Sequence, residues 1–265
     1  MPRRAVAVLG GTFDHLHRGH EALLTSAFRA GEEVAIGVTT DAYLAAHGKP
    51  DAERIEPYAT RARRLRRWLR LRFPGRRWRT VPLEDRFGRS VGPGVDVLVV
   101  SADTLGGGKA VNAERLRRGL GRIPILVVPL VLADDLRPIS SRRIRSGEID
   151  RDGHRTGPIS VGLATDDSAE FQEAVRGVRA AFPRSRVVRV SLPGSGPSEG
   201  RLTRGARAAA RGRDLGVAVV RRAGRPPRIA LAAGSLVLSP RPVRGALAAA
   251  VRDVLRPRVG RKGFG

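Results

Sequence analysis

Ala5-Val-Ala-Val-Leu9 runs without a break into Gly10-Gly11-Thr12-Phe13-Asp14-His15-Leu16-His17-Arg18-Gly19-His20. The continuous apolar run suits a strand buried on both faces of a parallel sheet, and the glycine pair ends it. A helix-compatible stretch, Gly19 to Arg29, follows, with Ala22, Leu23, Ala27 and Ala30 on one face. Parallel sheets bind ligands at the carboxyl ends of strands, where the next helix starts. Two glycines let backbone N–H groups approach a phosphate, and the helix N-terminus adds a positive partial charge. Thr12 adds a hydroxyl donor, so Gly10, Gly11, Thr12 and Phe13 form the candidate phosphate-binding turn. His17 and His20 lie three apart, share a face of the first helical turn and reach one anion together. Gly19 between them leaves space for a planar base or ribose.

The alternation continues outward. Strands are expected at Glu33–Val38, Arg79–Leu83, Val95–Val100 and Ile125–Val128, and helices at Tyr58–Phe73, Asn112–Leu120 and Ser140–Ser146. Strands alternating with helices imply a parallel sheet covered on both faces. The polar stretch Glu148–Pro158 reads as a linker. Beyond it come a strand Ile159–Ala164, a helix Ser168–Phe182, a strand Arg186–Leu192, a helix Arg201–Arg211, strands Gly216–Arg221 and Ile229–Leu238, and a helix Val243–Leu255. The expected fold class is α/β, a Rossmann-like parallel-sheet domain over residues 1–152 and a second α/β domain over 159–265.

Bulk composition bounds the rest. A length of 265 residues with 41% hydrophobic content suits two globular domains. The longest apolar stretch, Ile123–Ala133, holds two prolines and is too short to span a bilayer, and the N-terminus lacks a secretory pattern. With no cysteine there is no disulfide framework, no thiolate chemistry and no cysteine-held zinc. A cytoplasmic location is expected. The net charge of +25 is almost all arginine, lysine occurring only at Lys49, Lys109 and Lys262. Arginine clusters suit a polyanion partner. However, the accompanying Ala, Gly and Pro point to codon bias, and aromatics at 4% are not interleaved with the arginines. Nucleic acid is therefore disfavoured as the main partner.

The string GGTFDHLHRGH resembles the HxGH signature of the nucleotidyltransferase superfamily. Ile139-Ser140-Ser141-Arg142-Arg143-Ile144-Arg145 resembles its second signature, ISSTRIR. Between them Val100-Ser101-Ala102-Asp103-Thr104, with Gly107, Asn112 and Arg115, resembles the VSxET…G…N…R segment of the archaeal and eukaryotic phosphopantetheine adenylyltransferases. Ser146–Asp150 resembles their closing RGEID. The resemblance spans residues 5–150. It implies adenylyl transfer from ATP, with Mg²⁺, to 4′-phosphopantetheine, giving dephospho-coenzyme A and pyrophosphate. His20, His17 and Lys49 would be catalytic, with Gly10, Gly11, Thr12, Phe13, Ser140, Ser141 and Arg143 on the nucleotide. It implies no protein cage for the metal. Arg142 stands where the family has Thr, and Arg61 is a candidate for the acceptor phosphate.

Other acceptors, namely nicotinamide mononucleotide, FMN or glycerol phosphate, remain open, as does an arginine-driven nucleic-acid binder and a homo-oligomeric state. The second half resembles the inosine/xanthosine triphosphatase family through Ile159–Thr165, Pro197-Ser198-Glu199, Gly205-Ala206-Arg207 and Asp214–Val217. The phosphate-binding lysine and metal-binding carboxylate of that family are not matched, so a degenerate domain is expected. Asp166 and Asp167 would hold Mg²⁺ or cap a helix.

Overall fold

A computed structural model of the chain describes residues 5–47, 52–194, 199–222, 225–233, 236–243 and 246–255. It divides by contacts into two units, one of Met1–Val131 with Ile139–Gly147, the other of Leu132–Pro138 with Glu148–Gly265.

In the first unit, strand β1 (Val6–Gly11) leads to helix α1 (Arg18–Ala30), β2 (Glu33–Thr39), a short α2 (Asp41–Ala46), α3 (Tyr58–Arg72) and β3 (Arg77–Leu83). The chain then crosses to β4 (Val97–Ser101), α4 (Leu105–Arg117), β5 (Ile125–Val128) and α5 (Ser141–Arg145). Strand order is β3-β2-β1-β4-β5 and every pairing is parallel. Alternation along β1 divides the core. Ala7 and Leu9 face a layer with Leu24, Phe28, Leu65 and Leu69 from α1 and α3, whereas Val8 faces Val100, Val111 and Ile123 on the α4 side. Because the chain runs outward from β1 to β3 and then restarts beside β1, the carboxyl ends of β1 and β4 diverge. That topological switch is where such sheets open a crevice.

Two local readings of this unit change. Helix α4 starts at Leu105 rather than Asn112. Gly106–Gly108 look like a helix breaker, but buried Gly108 packs within 3.2–3.5 Å of Val100 and Ile125, so tertiary contact overrides propensity there. Helix α2 is too short to carry a periodic signal, and its start is fixed by the Thr40 hydroxyl accepting from Tyr43 N–H at 3.2 Å.

The second unit comprises β6 (Ser160–Ala164), α6 (Ser168–Ala181), β7 (Arg186–Val190), α7 (Glu199–Ala210), β8 (Leu215–Arg222), β9 (Arg225–Ala233), β10 (Leu236–Pro242) and α8 (Leu247–Leu255). Its order is β10-β9-β8-β6-β7, parallel around β6 and antiparallel from β8 through β10. The single strand expected at 229–238 is thus parts of two strands paired antiparallel, with Gly234-Ser235 between them. Helix α7 lies so close to the sheet that a Cβ on Gly162 or Gly216 would come 2.0 or 2.1 Å from backbone oxygens of Ala209 or Ala206.

The stretch expected as a linker is structured. Ile149 and Arg155 form an antiparallel bridge, and Asp150 N–H donates to His154 C=O at 2.9 Å. Leu132–Pro138 also contributes to the second unit, with Leu136 in its core, so the chain is not divided by one cut near 152. Among the described residues no helix is long and apolar enough to cross a membrane.

Candidate active site

A cavity of about 630 Å³ opens at the switch between β1 and β4. Gly10 to Asp14 line it from the end of β1, Ser101, Asp103 and Thr104 from the end of β4, and Ser140 to Arg142 with Arg145 from α5. His17, Gly19 and His20 line it from the start of α1. Both signature stretches therefore meet at one place.

The histidine geometry follows from the helix start. His17 is the N-cap of α1, its Nδ1 accepting from Gly19 N–H at 3.1 Å, a role usually taken by Ser, Thr, Asp or Asn. Burial lowers the His17 pKa to about 4, against the smaller upward pull of the Asp14 carboxylate. The imidazole is neutral at pH 7, and with Nδ1 accepting, its proton sits on Nε2, making that nitrogen the donor. The His20 ring stacks on His17 at 3.8 Å between centroids and lies 5.3 Å from the Phe13 ring. Gly19 is needed for this stack. A Cβ there would come 2.9 Å from His17 Cε1. Its absent side chain makes room for the neighbouring imidazole, not for a base or ribose.

The turn between β1 and α1 carries two non-glycine residues in the left-handed region, Phe13 at φ 52° and His15 at φ 46°. Such conformations persist when the surroundings fix them. Phe13 is fully buried, and His15 Nδ1 lies 3.1 Å from Asp14 Oδ1. Asp14, itself buried, accepts from Glu56 N–H at 3.1 Å and pairs with Arg145 at 2.5 Å. Arg61, fully buried, donates to the carbonyls of Thr12 (2.8 Å), Thr39 (2.9 Å) and Glu56 (2.6 Å) and to Asp41 Oδ1 (2.7 Å). It is a brace behind the turn and does not reach an acceptor phosphate.

The second signature behaves unevenly. Ser140 caps α5, its Oγ accepting from Arg143 N–H at 3.4 Å. Ser141 donates its hydroxyl proton to the Asp14 carbonyl at 2.6 Å, so it has no proton to offer a phosphate in this arrangement. Arg143 is buried and is not among the cavity-lining residues, whereas Arg142 and Arg145 are. With α5 starting at Ser141, Arg143 falls on the inward face and Arg142 on the cavity side. Lys49 lies outside the described residues.

Asn112 and Arg115 from the middle segment do not reach the cavity. Asn112 exchanges two hydrogen bonds with the backbone of Ile123, at 2.9 and 3.0 Å. Buried Arg115 donates to the carbonyls of Gly121, Ser90 and Gly92. Both hold loops. Asp14, His15 and Glu56 have carboxylate and imidazole atoms close enough to share an ion. Asp14 is engaged by Arg145 and Glu56 by Arg64, so the trio is already neutralised.

In the second unit, Arg201 grips Asp166 through two bonds of 2.7 and 3.0 Å. Asp167 caps α6 by accepting from Ala169 and Glu170 N–H groups. Residues 197 and 198 of the Pro-Ser-Glu loop lie outside the described residues.

A five-stranded parallel sheet whose switch-point cavity gathers an imidazole pair and α5 defines a nucleotidyltransferase-type α/β fold. The chain belongs to the cytidylyltransferase-like family, whose model matches residues 8–147. It is similar to the bifunctional phosphopantetheine adenylyltransferase/NTP phosphatase of Thermoplasma acidophilum, 38% identical over 185 residues, covering 69% of this chain and 55% of that protein. The Thermoplasma volcanium protein of the same name is 39% identical over 168 residues, covering 63% and 50%. The phosphopantetheine adenylyltransferase of Methanothermobacter thermautotrophicus is 42% identical over 151 residues, covering 57% of this chain and 88% of that protein. The chain spans about half the length of the two bifunctional relatives. An alignment of 185 residues is longer than the first unit, so the likeness runs into the second.

Proposed function

We propose that the first unit transfers an adenylyl group from MgATP to the phosphate of 4′-phosphopantetheine, releasing pyrophosphate and leaving dephospho-coenzyme A. The observation that carries this reading is the imidazole pair and α5 facing one cavity, in a chain similar to phosphopantetheine adenylyltransferases across most of their length. An oxygen of the acceptor phosphate forms a bond to the α-phosphorus as the bond to the bridging α–β oxygen breaks. No protein nucleophile takes part, so alignment and charge neutralisation supply the rate.

Neutral His17 donates from Nε2, and His20 beside it shares the developing pyrophosphate charge. The turn at Gly10–Phe13 offers backbone N–H groups, and Arg142 and Arg145 add cations. In this reading Arg142 takes the place that the family resemblance implies for Arg143. Lys49 is retained as a candidate bridge between the two substrates. Mg²⁺ enters as part of the nucleotide, held by phosphate oxygens and water, since the nearby carboxylates of Asp14 and Glu56 are already paired. A cytoplasmic location goes with these soluble substrates.

The second unit is read as an inactive counterpart of the phosphatase half. The Arg201–Asp166 pair and the capping role of Asp167 favour this over a Mg²⁺ site. The test is to incubate purified protein with ATP, Mg²⁺ and a panel of phosphorylated acceptors and measure pyrophosphate. Release dependent on 4′-phosphopantetheine supports the reading, and release with another acceptor alone rejects it. Inosine triphosphate without acceptor should yield none.

A further inference from the structure

In-line displacement requires two anion sites on opposite sides of the α-phosphorus, one for the pyrophosphate and one for the incoming acceptor. Among the described residues, the groups so far assigned sit at the end of β1, at the start of α1 and along α5. Across the sheet, two further arginines, Arg86 and Arg89, line the same cavity from the loop that follows β3. In the strand order, β3 lies two strands from β1 on the side away from β4 and β5.

We propose that Arg86 and Arg89 form the subsite for the acceptor's phosphate, an inference that rests on the adenylyl-transfer reading above. The loop is built rather than loose. Asp85 Oδ1 accepts from the N–H groups of Phe87 (2.7 Å) and Gly88 (2.5 Å), closing a turn. Ser90 donates its hydroxyl to the Phe87 carbonyl. From beneath, the Arg115 guanidinium holds the carbonyls of Ser90 (2.9 Å) and Gly92 (2.8 Å). Both Arg86 and Arg89 are exposed, and among the described residues neither forms an ion pair. Arg86 Cζ lies 5.7 Å from the Phe87 ring. Arg86 and Arg89 stand three positions apart on a pinned turn and line one cavity, and guanidinium forks are suited to a phosphate monoester. The same loop gives Arg115 a place in this arrangement although it stands outside the cavity: its guanidinium holds the loop that carries the two cations.

The test compares the full-length protein with Arg86→Gln, Arg89→Gln and the double variant. In titration calorimetry, wild type should bind 4′-phosphopantetheine roughly tenfold or more tightly than pantetheine, and the double variant should lose that preference. In turnover, KM for 4′-phosphopantetheine should rise about tenfold while KM for ATP stays within about twofold, with Arg89→Lys intermediate. No phosphate preference in wild type, or an unchanged preference in the double variant, overturns the subsite. So does a parallel rise in KM for ATP, which would place the arginines on the triphosphate. A wild type that binds but never turns over 4′-phosphopantetheine rejects the adenylyl-transfer reading, while the calorimetry still decides the subsite.

Discussion

The Arg145 guanidinium lies 2.5 Å from the Asp14 carboxylate and joins two signature stretches 131 positions apart. Asp14 is 1% exposed, and burial alone would raise its pKa. The Glu56 N–H, His15 and Arg145 more than offset that and hold it below the usual carboxylate range. Removing one member of a buried pair leaves an uncompensated charge and costs about 3–5 kcal/mol. Asp14→Asn should therefore lower the stability of the first unit by about that amount, read from urea unfolding. It should also detach α5 from the turn. A midpoint equal to wild type would show that the pair is ornamental.

The buried His17 makes stability depend on pH. Its folded pKa of about 4 lies below the ordinary 6.5, so between these values the unfolded chain takes up a proton that the folded chain refuses. Stability is fully present above pH 6.5 and falls as pH drops toward 4, by about 3 kcal/mol for this group. Chemical unfolding of wild type and His17→Gln across pH 4–7 checks this. The variant should lose that much less over the same interval.

Gly19→Ala separates local preference from site geometry. Alanine favours a helix by about 1 kcal/mol over glycine. Here its Cβ would come 2.9 Å from His17 Cε1, so the ring must move off its stack with His20. The expected outcome is near-wild-type stability with transfer slowed about ten- to a hundredfold. Unchanged turnover would mean the stacked pair has no part in the reaction.

His20→Ala tests the imidazole directly. His20 is not part of the fully buried core, so its loss should change the unfolding midpoint little. Removing a donor aimed at developing charge typically slows reaction about 10²–10³-fold. Full pyrophosphate release by a folded His20→Ala protein would reject the role given to it.

The first sheet and its switch point were legible because β1, β2 and β4 are continuous apolar runs and the loop after β1 has an unmistakable glycine pair. What stayed hidden depends on three-dimensional packing. Which of Arg142 and Arg143 faces the cavity is set by where α5 begins, and a one-residue difference rotates a side chain by about 100°. The structural duties of Ser141, Asn112 and Arg115 involve backbone carbonyls, which leave no pattern in side-chain types. The hairpin of β9 and β10 reads as one strand because apolar residues sit on both sides of Gly234-Ser235. Gly106–Gly108 hide the first turns of α4 in the sequence, whereas in the fold Gly108 permits close packing on β4 and β5.

The brace at Arg61 offers the sharpest contrast within one helix. Helix α3 carries seven arginines, and composition alone treats them alike. Arg61 is fully buried with four acceptors around its fork, whereas Arg67 on the same helix is exposed. Arg67→Ala should alter stability by no more than about 0.5 kcal/mol, as for most surface changes. Arg61→Ala leaves the Thr12, Thr39 and Glu56 carbonyls and the Asp41 carboxylate without their donor, at a cost of about 3 kcal/mol or more. Arg61→Lys keeps the charge, yet a single ammonium cannot span acceptors arranged around a planar fork, so most of that loss should remain. Since Thr12 belongs to the turn proposed to bind phosphate, Arg61→Lys should also slow transfer at saturating substrates. Paired unfolding and turnover measurements on the three variants check this, and equal behaviour of Arg61→Ala and Arg67→Ala would remove Arg61 from the site's support.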